Sequence, residues 1–179
     1  MRLKQQVFTH NGFELTPFTP DDRQLYIKLV SDPAVMQYIG PTISEQDAER
    51  FFKEILEHKI QQNYYYWSVR HSCGNKVGLA ALITEETGVA EFGLMLLPEY
   101  CYKGYAVPVI AGLINFAFMQ WHLNKVISKH QSSNLAATSG LKRLSIKRVS
   151  IEDGYWFWQL DRADWLELKL KPPYNNLNA

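Results

Sequence analysis

Three β-prone runs follow one another with little chain between them: Tyr64–Arg70, Lys76–Thr84 and Val89–Leu97. Gly74-Asn75 supplies a turn between the first two, and Pro98 ends the third. Strands joined this closely pair antiparallel, because a parallel return needs a crossover of roughly a dozen residues or more. A crossover of that kind comes next. Gly104–Trp121 reads as a long apolar helix and Val126–Lys129 as a short strand. Hairpin-linked strands followed by a β–α–β crossover imply an α/β (α+β) domain. Its central twisted sheet is mixed but mostly antiparallel, with helices on both faces.

The flanking segments fit that frame. Phe13–Phe18 alternates apolar and polar residues, as a strand does. Thr19-Pro20-Asp21-Asp22 opens a helix, with Thr19 as N-cap, Pro20 in the first helical position and two acids at the positive dipole end. Leu25, Leu29 and Val30 continue it at helical spacing, and Asp32-Pro33 interrupts it, since the residue before a proline disfavours helix. Ser44 caps a second helix with Asp47 three residues on, and Ala48, Phe51, Phe52, Ile55 and Leu56 form its apolar stripe. Asn134 is placed to cap a helix over Asn134–Leu144. The aromatic tail, Tyr155–Leu170, reads as one or two terminal strands. In Tyr64-Tyr65-Tyr66-Trp67, alternation puts Tyr65 and Trp67 on one face and Tyr64 and Tyr66 on the other, chiefly as core.

Bulk properties remove several function classes. A chain of 179 residues suits one domain, here residues 1–179. The formal net charge of +1 gives no nucleic-acid footprint, and the cluster Lys142, Arg143, Lys147 and Arg148 reads as solvated surface. Two cysteines, Cys73 and Cys101, and five scattered histidines show no metal-ligand spacing, so no metal is expected. The N-terminal residues lack the apolar run of a signal peptide, and no apolar stretch is long enough to span a bilayer. The expectation is a cytoplasmic protein without membrane partners.

Function enters with the segment Glu91-Phe92-Gly93-Leu94-Met95-Leu96-Leu97-Pro98-Glu99-Tyr100-Cys101-Tyr102-Lys103-Gly104-Tyr105-Ala106. It resembles the central motif of the GNAT acetyltransferases, in the branch that includes the ribosomal-protein N-terminal (Rim-type) enzymes. There a Glu-x-Gly-x-x-Leu strand ends in Pro-x-Tyr and a turn closing on Lys-Gly-Tyr-Ala. Downstream, Asn134–Ile146 is similar to the family's second motif, with Leu141-Lys142-Arg143-Leu144 in its Leu-Glu-Lys-Leu position. Phe13–Phe18 and Val35–Ile39 also fit. The resemblance runs from about Phe13 to Leu168.

That resemblance implies acetyl-coenzyme A as co-substrate and a primary amine as acceptor, small or at a peptide N-terminus. Leu94, Met95 and Leu96 would run beside the pantetheine arm, with the Leu94 N–H as oxyanion donor. Lys103, Gly104, Tyr105 and Ala106 would form the pyrophosphate turn, where helix N–H groups meet the anion. Gly104 allows close approach and positive φ. Glu91 is the base candidate, its bland alternative being a surface acid at a strand end. Asn134 would contact pantetheine or hold the active-site water, its alternative being a helix cap. Ser132 and Ser133 are weaker relay candidates. Tyr38 would contact the acceptor. Many proteins of this type pair as dimers, so the resemblance also allows a homodimer.

The chain also departs from the family pattern. Cys101 stands where Gln, Arg or Trp is usual, and Tyr102 replaces a glycine, with strain if φ is positive. Ala137 replaces Ser, Ser145 replaces Gly, and Leu141 stands where many relatives carry a tyrosine acid. Cys101, with no histidine in its motif, is not a nucleophile candidate. A GNAT-fold protein that binds acyl-CoA without turnover is the second reading.

Overall fold

A computed structural model describes residues 4–57 and 63–169. The strands are β1 (Phe8–His10), β2 (Phe13–Pro17), β3 (Tyr64–His71), β4 (Lys76–Glu86), β5 (Val89–Leu96), β6 (Lys125–Gln131), β7 (Lys147–Glu152) and β8 (Tyr155–Asp161). The helices are α1 (Arg23–Ser31), α2 (Pro33–Met36), α3 (Glu45–Leu56), α4 (Ala106–Met119), α5 (Leu135–Arg143) and α6 (Arg162–Lys169). One sheet holds all eight strands in the order β1-β2-β3-β4-β5-β6-β8-β7. Every neighbouring pair is antiparallel except β5 and β6, which α4 joins as a parallel pair. The expected mixed, mostly antiparallel sheet is therefore observed.

Two cores form, one on each face. Trp67, Val69, Leu82, Phe92, Val126, Trp158 and Leu160 pack with α4, with Leu141 of α5 and with Trp165 of α6. On the opposite face Leu79, Ala81, Tyr66 and Met95 pack with Leu25, Leu29, Val30, Ala48 and Phe52 of α1 and α3. The alternation expected for the aromatic run holds, since Tyr65 and Trp67 belong to the first core and Tyr66 to the second. Each fully buried large side chain contributes about 1.5–3 kcal/mol of transfer free energy.

The N-caps expected at Ser44 and Asn134 both form. Ser44 Oγ accepts the Asp47 N–H at 3.1 Å, and Asn134 Oδ1 accepts that of Ala137 at 3.0 Å. Three expectations need correction. The helix expected from Thr19 begins as a 3-10 turn, Pro20–Asp22, before α1, and beyond the interruption at Asp32-Pro33, which is present as expected, an unforeseen short helix α2 begins. β1 has no counterpart in the sequence reading. The tail forms β8 and then α6 instead of a second strand there; Trp165 is fully buried and Leu168 packs one turn on. Leu170, the end of that expected tail, lies outside the described residues.

Asp22 ties the N-terminal helical segment to the sheet. Its Oδ1 lies 2.6 Å from Lys76 Nζ, and its Oδ2 accepts the Thr19 N–H at 2.8 Å. Burial by itself would raise this carboxyl's pKa. The Lys76 ammonium and the Thr19 backbone bond outweigh it and hold the pKa below the usual carboxylate value. A depressed folded pKa gives stability that is present above the unfolded pKa, about 3.9, and is lost as pH falls through the folded value. Lys76→Met should therefore cost about 2 kcal/mol at neutral pH and flatten the acid limb of the stability curve. Denaturant melts from pH 7 down to pH 2 would test this, and parallel curves for the two proteins would refute it.

Candidate functional site

The parallel pairing of β5 and β6 is short. Its register runs Val89↔Lys125, Ala90↔Val126 and Glu91↔Ile127, and ends there. Beyond Glu91, β5 continues through Leu96 paired with β4 alone, and β6 continues through Gln131 paired with β8 alone. The two strands thus enclose a wedge-shaped gap. Along its β5 side, Leu94, Met95 and Leu96 are half-buried and present a strand edge with no partner strand among the described residues. An extended ligand with amide groups can complete that edge as a strand would. At Gly93 an added Cβ would meet nothing within 4 Å, so space lies open above the strand.

Glu91 sits at the apex of the gap. It shares a face with Met95, the face that α1 and α3 cover, because side chains alternate along a strand. Its side chain is only 18% exposed, and its Oε2 lies 3.6 Å from Lys129 Nζ on β6. It is therefore a mostly enclosed, ion-paired carboxylate at the last β5–β6 register pair. Lys129 is missing from the residues singled out from sequence. The only hint there is its parity with Ile127, which is silent about the strand opposite.

The second half of the candidate site is the turn that leads from β5 into α4. Tyr102 (φ 60°) and Gly104 (φ 81°) both take left-handed backbone. Gly104 does so at no cost, and an added Cβ there would meet nothing within 4 Å. Tyr102 pays for it with backbone strain of about 1–2 kcal/mol, while its ring is almost wholly exposed. Ser145, in the second glycine-favoured position, likewise has φ 55°. Both positions thus hold left-handed backbone without a glycine.

Tyr105 precedes α4 and no side chain caps that helix. The first N–H groups of a 14-residue helix are left to whatever approaches from the turn. Pro108 has no N–H to leave unpaired. The Tyr105 ring itself is committed to packing. It stacks on His71 with centroids 4.9 Å apart and on Tyr100 at 6.0 Å, and meets Phe13 edge-on at 5.1 Å. Lys103 is exposed, with Nζ 5.5 Å over the Tyr100 ring, and Ala106 begins the helix against the first core.

The remaining candidates divide. Asn134 is a helix cap, its carboxamide oxygen taken by Ala137, which leaves its NH2 as the donor it can offer. Ser132 and Ser133 lie in the loop before α5. Tyr38 lies half-buried in the turn after α2. Cys101 Sγ is 3.6 Å from the Leu97 carbonyl oxygen. Burial, with Glu99 and Asp32 adding to it, pushes this thiol above its usual range, the reverse of what a nucleophile needs. No group of three metal-capable side chains occurs among the described residues, and none of their helices is long and apolar enough to cross a membrane. An open groove of about 540 Å³ lies elsewhere, on the β1–β2–β3 side of the sheet, between Thr9–Glu14, Arg70–Ser72 and Asn115. Its wall includes Thr9 and His10 of the edge strand β1, and none of the residues of the β5–α4 turn.

The acetyltransferase (GNAT) domain matches this chain over residues 13–147. The FsC-acetyl coenzyme A-N(2)-transacetylase of Aspergillus fumigatus is 24% identical, the alignment covering 94% of this chain and 82% of that protein. Among solved structures, a GNAT-family acetyltransferase from Bacillus anthracis superposes with a TM-score of 0.77 at 17% identity, covering 88% of this chain and 99% of its own. Spermidine N-acetyltransferase from Vibrio cholerae, in complex with CoA and spermine, superposes with a TM-score of 0.76 at 18% identity, covering 87% and 98%.

Proposed function

Because the chain belongs to the GNAT family of acetyltransferases, we propose that it moves an acetyl group from acetyl-CoA to a primary amine by direct attack, with Glu91 as the base. The observation that carries this reading is the gap between β5 and β6 with Glu91 at its apex. The residues present fit the donor. Leu94 and Leu96 would offer backbone groups to the amides of the pantetheine arm, while the Met95 carbonyl turns toward Gly78 of β4, and the Leu94 N–H would donate to the thioester carbonyl oxygen. The turn Lys103–Ala106 and the uncapped start of α4 would hold the pyrophosphate, with Lys103 adding a cation. The Asn134 NH2 would donate to the pantetheine or to a water near it. The bound donor supplies an acyl carbon activated by its thiol leaving group.

Glu91 supplies what the amine requires. An aliphatic amine arrives as an ammonium at neutral pH and must lose a proton before it can attack. A carboxylate enclosed beside the thioester position takes that proton over a short path. The acceptor enters from the α1–α2 side, where Tyr38 lies. It is a small amine or a peptide N-terminus. Spermidine is the acceptor named for one structural neighbour.

Calorimetry with acetyl-CoA tests the donor half, and CoA release over a panel of amines tests the acceptor half. Wild-type protein should bind acetyl-CoA at micromolar Kd. Gly104→Glu should lose at least about tenfold, since it places a carboxylate against the pyrophosphate and a side chain at φ 81°. Binding without turnover on any amine would favour a non-catalytic, acyl-CoA-sensing protein on the same fold. No binding at all would end the proposal.

A further inference from the structure

The position that an acceptor amine must take is already approached by an amine of the chain itself. Lys129 lies two residues beyond the last β5–β6 register pair, on the same face of β6 as Ile127 and so of Glu91. Its side chain reaches across the mouth of the gap and sets Nζ 3.6 Å from Glu91 Oε2. An ammonium beside the base carboxylate is the arrangement any amine acceptor reaches before it gives up its proton. Lys129 is half-exposed at its side chain, 51%, so its Nζ is not locked away from the cleft.

We propose that Lys129 is a self-acetylation site: with acetyl-CoA bound and no acceptor present, the Lys129 amine takes the acetyl group. The inference rests on the reading of Glu91 as base. Glu91 accepts one proton from the Lys129 ammonium. The Nζ lone pair forms the C–N bond to the acetyl carbonyl carbon, the C–S bond breaks, and the sulfur leaves as CoA thiolate. The second Nζ proton goes to that thiolate, directly or through water, so that the products are free CoA and a neutral Nε-acetyl-lysine. No oxidant, metal or further reactant is needed. The product ends the ion pair with Glu91 and puts a neutral amide at the cleft mouth. An enzyme short of acceptor would thereby alter its own acceptor site.

The test is acetyl-CoA incubation of the whole protein without acceptor, followed by peptide mass mapping over time. Exposed Lys28, Lys53 and Lys142, remote in sequence from this cleft, report the uncatalysed background. Lys129 should gain one acetyl group at least about tenfold faster than those three, and Glu91→Gln should bring it down to their rate. Lys129→Arg, which keeps the positive charge, should show no label at that position and an unchanged background. Labelling of Lys129 no faster than background, in protein that binds acetyl-CoA and acetylates an added amine, overturns this proposal and leaves the enzyme reading intact. Fast labelling of Lys129 that persists in Glu91→Gln also overturns it, since the base is then elsewhere. If acetyl-CoA does not bind and no amine is acetylated, the function reading fails and this inference goes with it.

Discussion

Glu91→Gln should lower kcat/KM for the amine about 10²- to 10⁴-fold while leaving acetyl-CoA affinity unchanged. The size follows from the task. The amide has nearly the shape of the carboxylate but cannot take the ammonium proton, so only acceptor already neutral in solution can react. The variant should also stay folded. The Gln side chain is nearly isosteric, and the ion pair of Glu91 with the half-exposed Lys129 is worth less than about 1 kcal/mol. Steady-state kinetics across pH, with calorimetry beside it, checks both parts. Full activity at neutral pH would remove Glu91 from the chemistry, and loss of acetyl-CoA binding would mean its role is to hold the gap open.

Gly78→Ala should damage the same site through packing. Gly78 pairs with Leu96 across the β4–β5 ladder. A Cβ built there would fall 2.2 Å from the Met95 carbonyl oxygen and 2.9 Å from Leu96 Cδ2. The first of these is backbone and cannot step aside without moving β5. Overpacking of this kind costs about 3 kcal/mol, which in a chain of this size lowers Tm by roughly 6–12 °C. The displaced residues are those that line the gap, so surviving folded protein should also bind acetyl-CoA more weakly. An unchanged Tm with unchanged affinity would show that β4 and β5 have slack at this point.

The architecture was legible where local chemistry and tertiary packing agree. The hairpin run β3–β5, the helix caps at Ser44 and Asn134, and the crossover helix α4 all announce themselves in spacing and turn residues. β1 was not legible, because Phe8–His10 is three residues long and two of them are polar. The tail misled for a different reason. Tyr155-Trp156-Phe157-Trp158 carries strong β preference, and the eye extends it. Trp165 and Leu168, three residues apart, are instead one stripe of a helix packed under the sheet. The site divides in the same way. Glu91, the Leu94–Leu96 edge and the turn at Gly104 came from resemblance to a family motif, which is contiguous in sequence. The Glu91–Lys129 pair was out of reach, since its distance is set by where two parallel strands part. Cys101 was placed outside the chemistry by its motif position, and its burial gives the physical reason.

The wedge between β5 and β6 has a consequence for how this chain folds. The meander β3–β5 and the hairpin β7–β8 are built from contacts close in sequence, and such units assemble early. Joining them needs α4 to close a loop before three register pairs can form. That seam has only three register pairs, as few as the short β1–β2 hairpin, and it is closed across a crossover rather than a tight turn. A donor molecule lying in the wedge would bridge the two half-sheets where the chain's own ladder gives out. It would hold them together by mass action, in proportion to its concentration over its Kd. The abundance of the folded protein in a cell would then follow the supply of its own substrate.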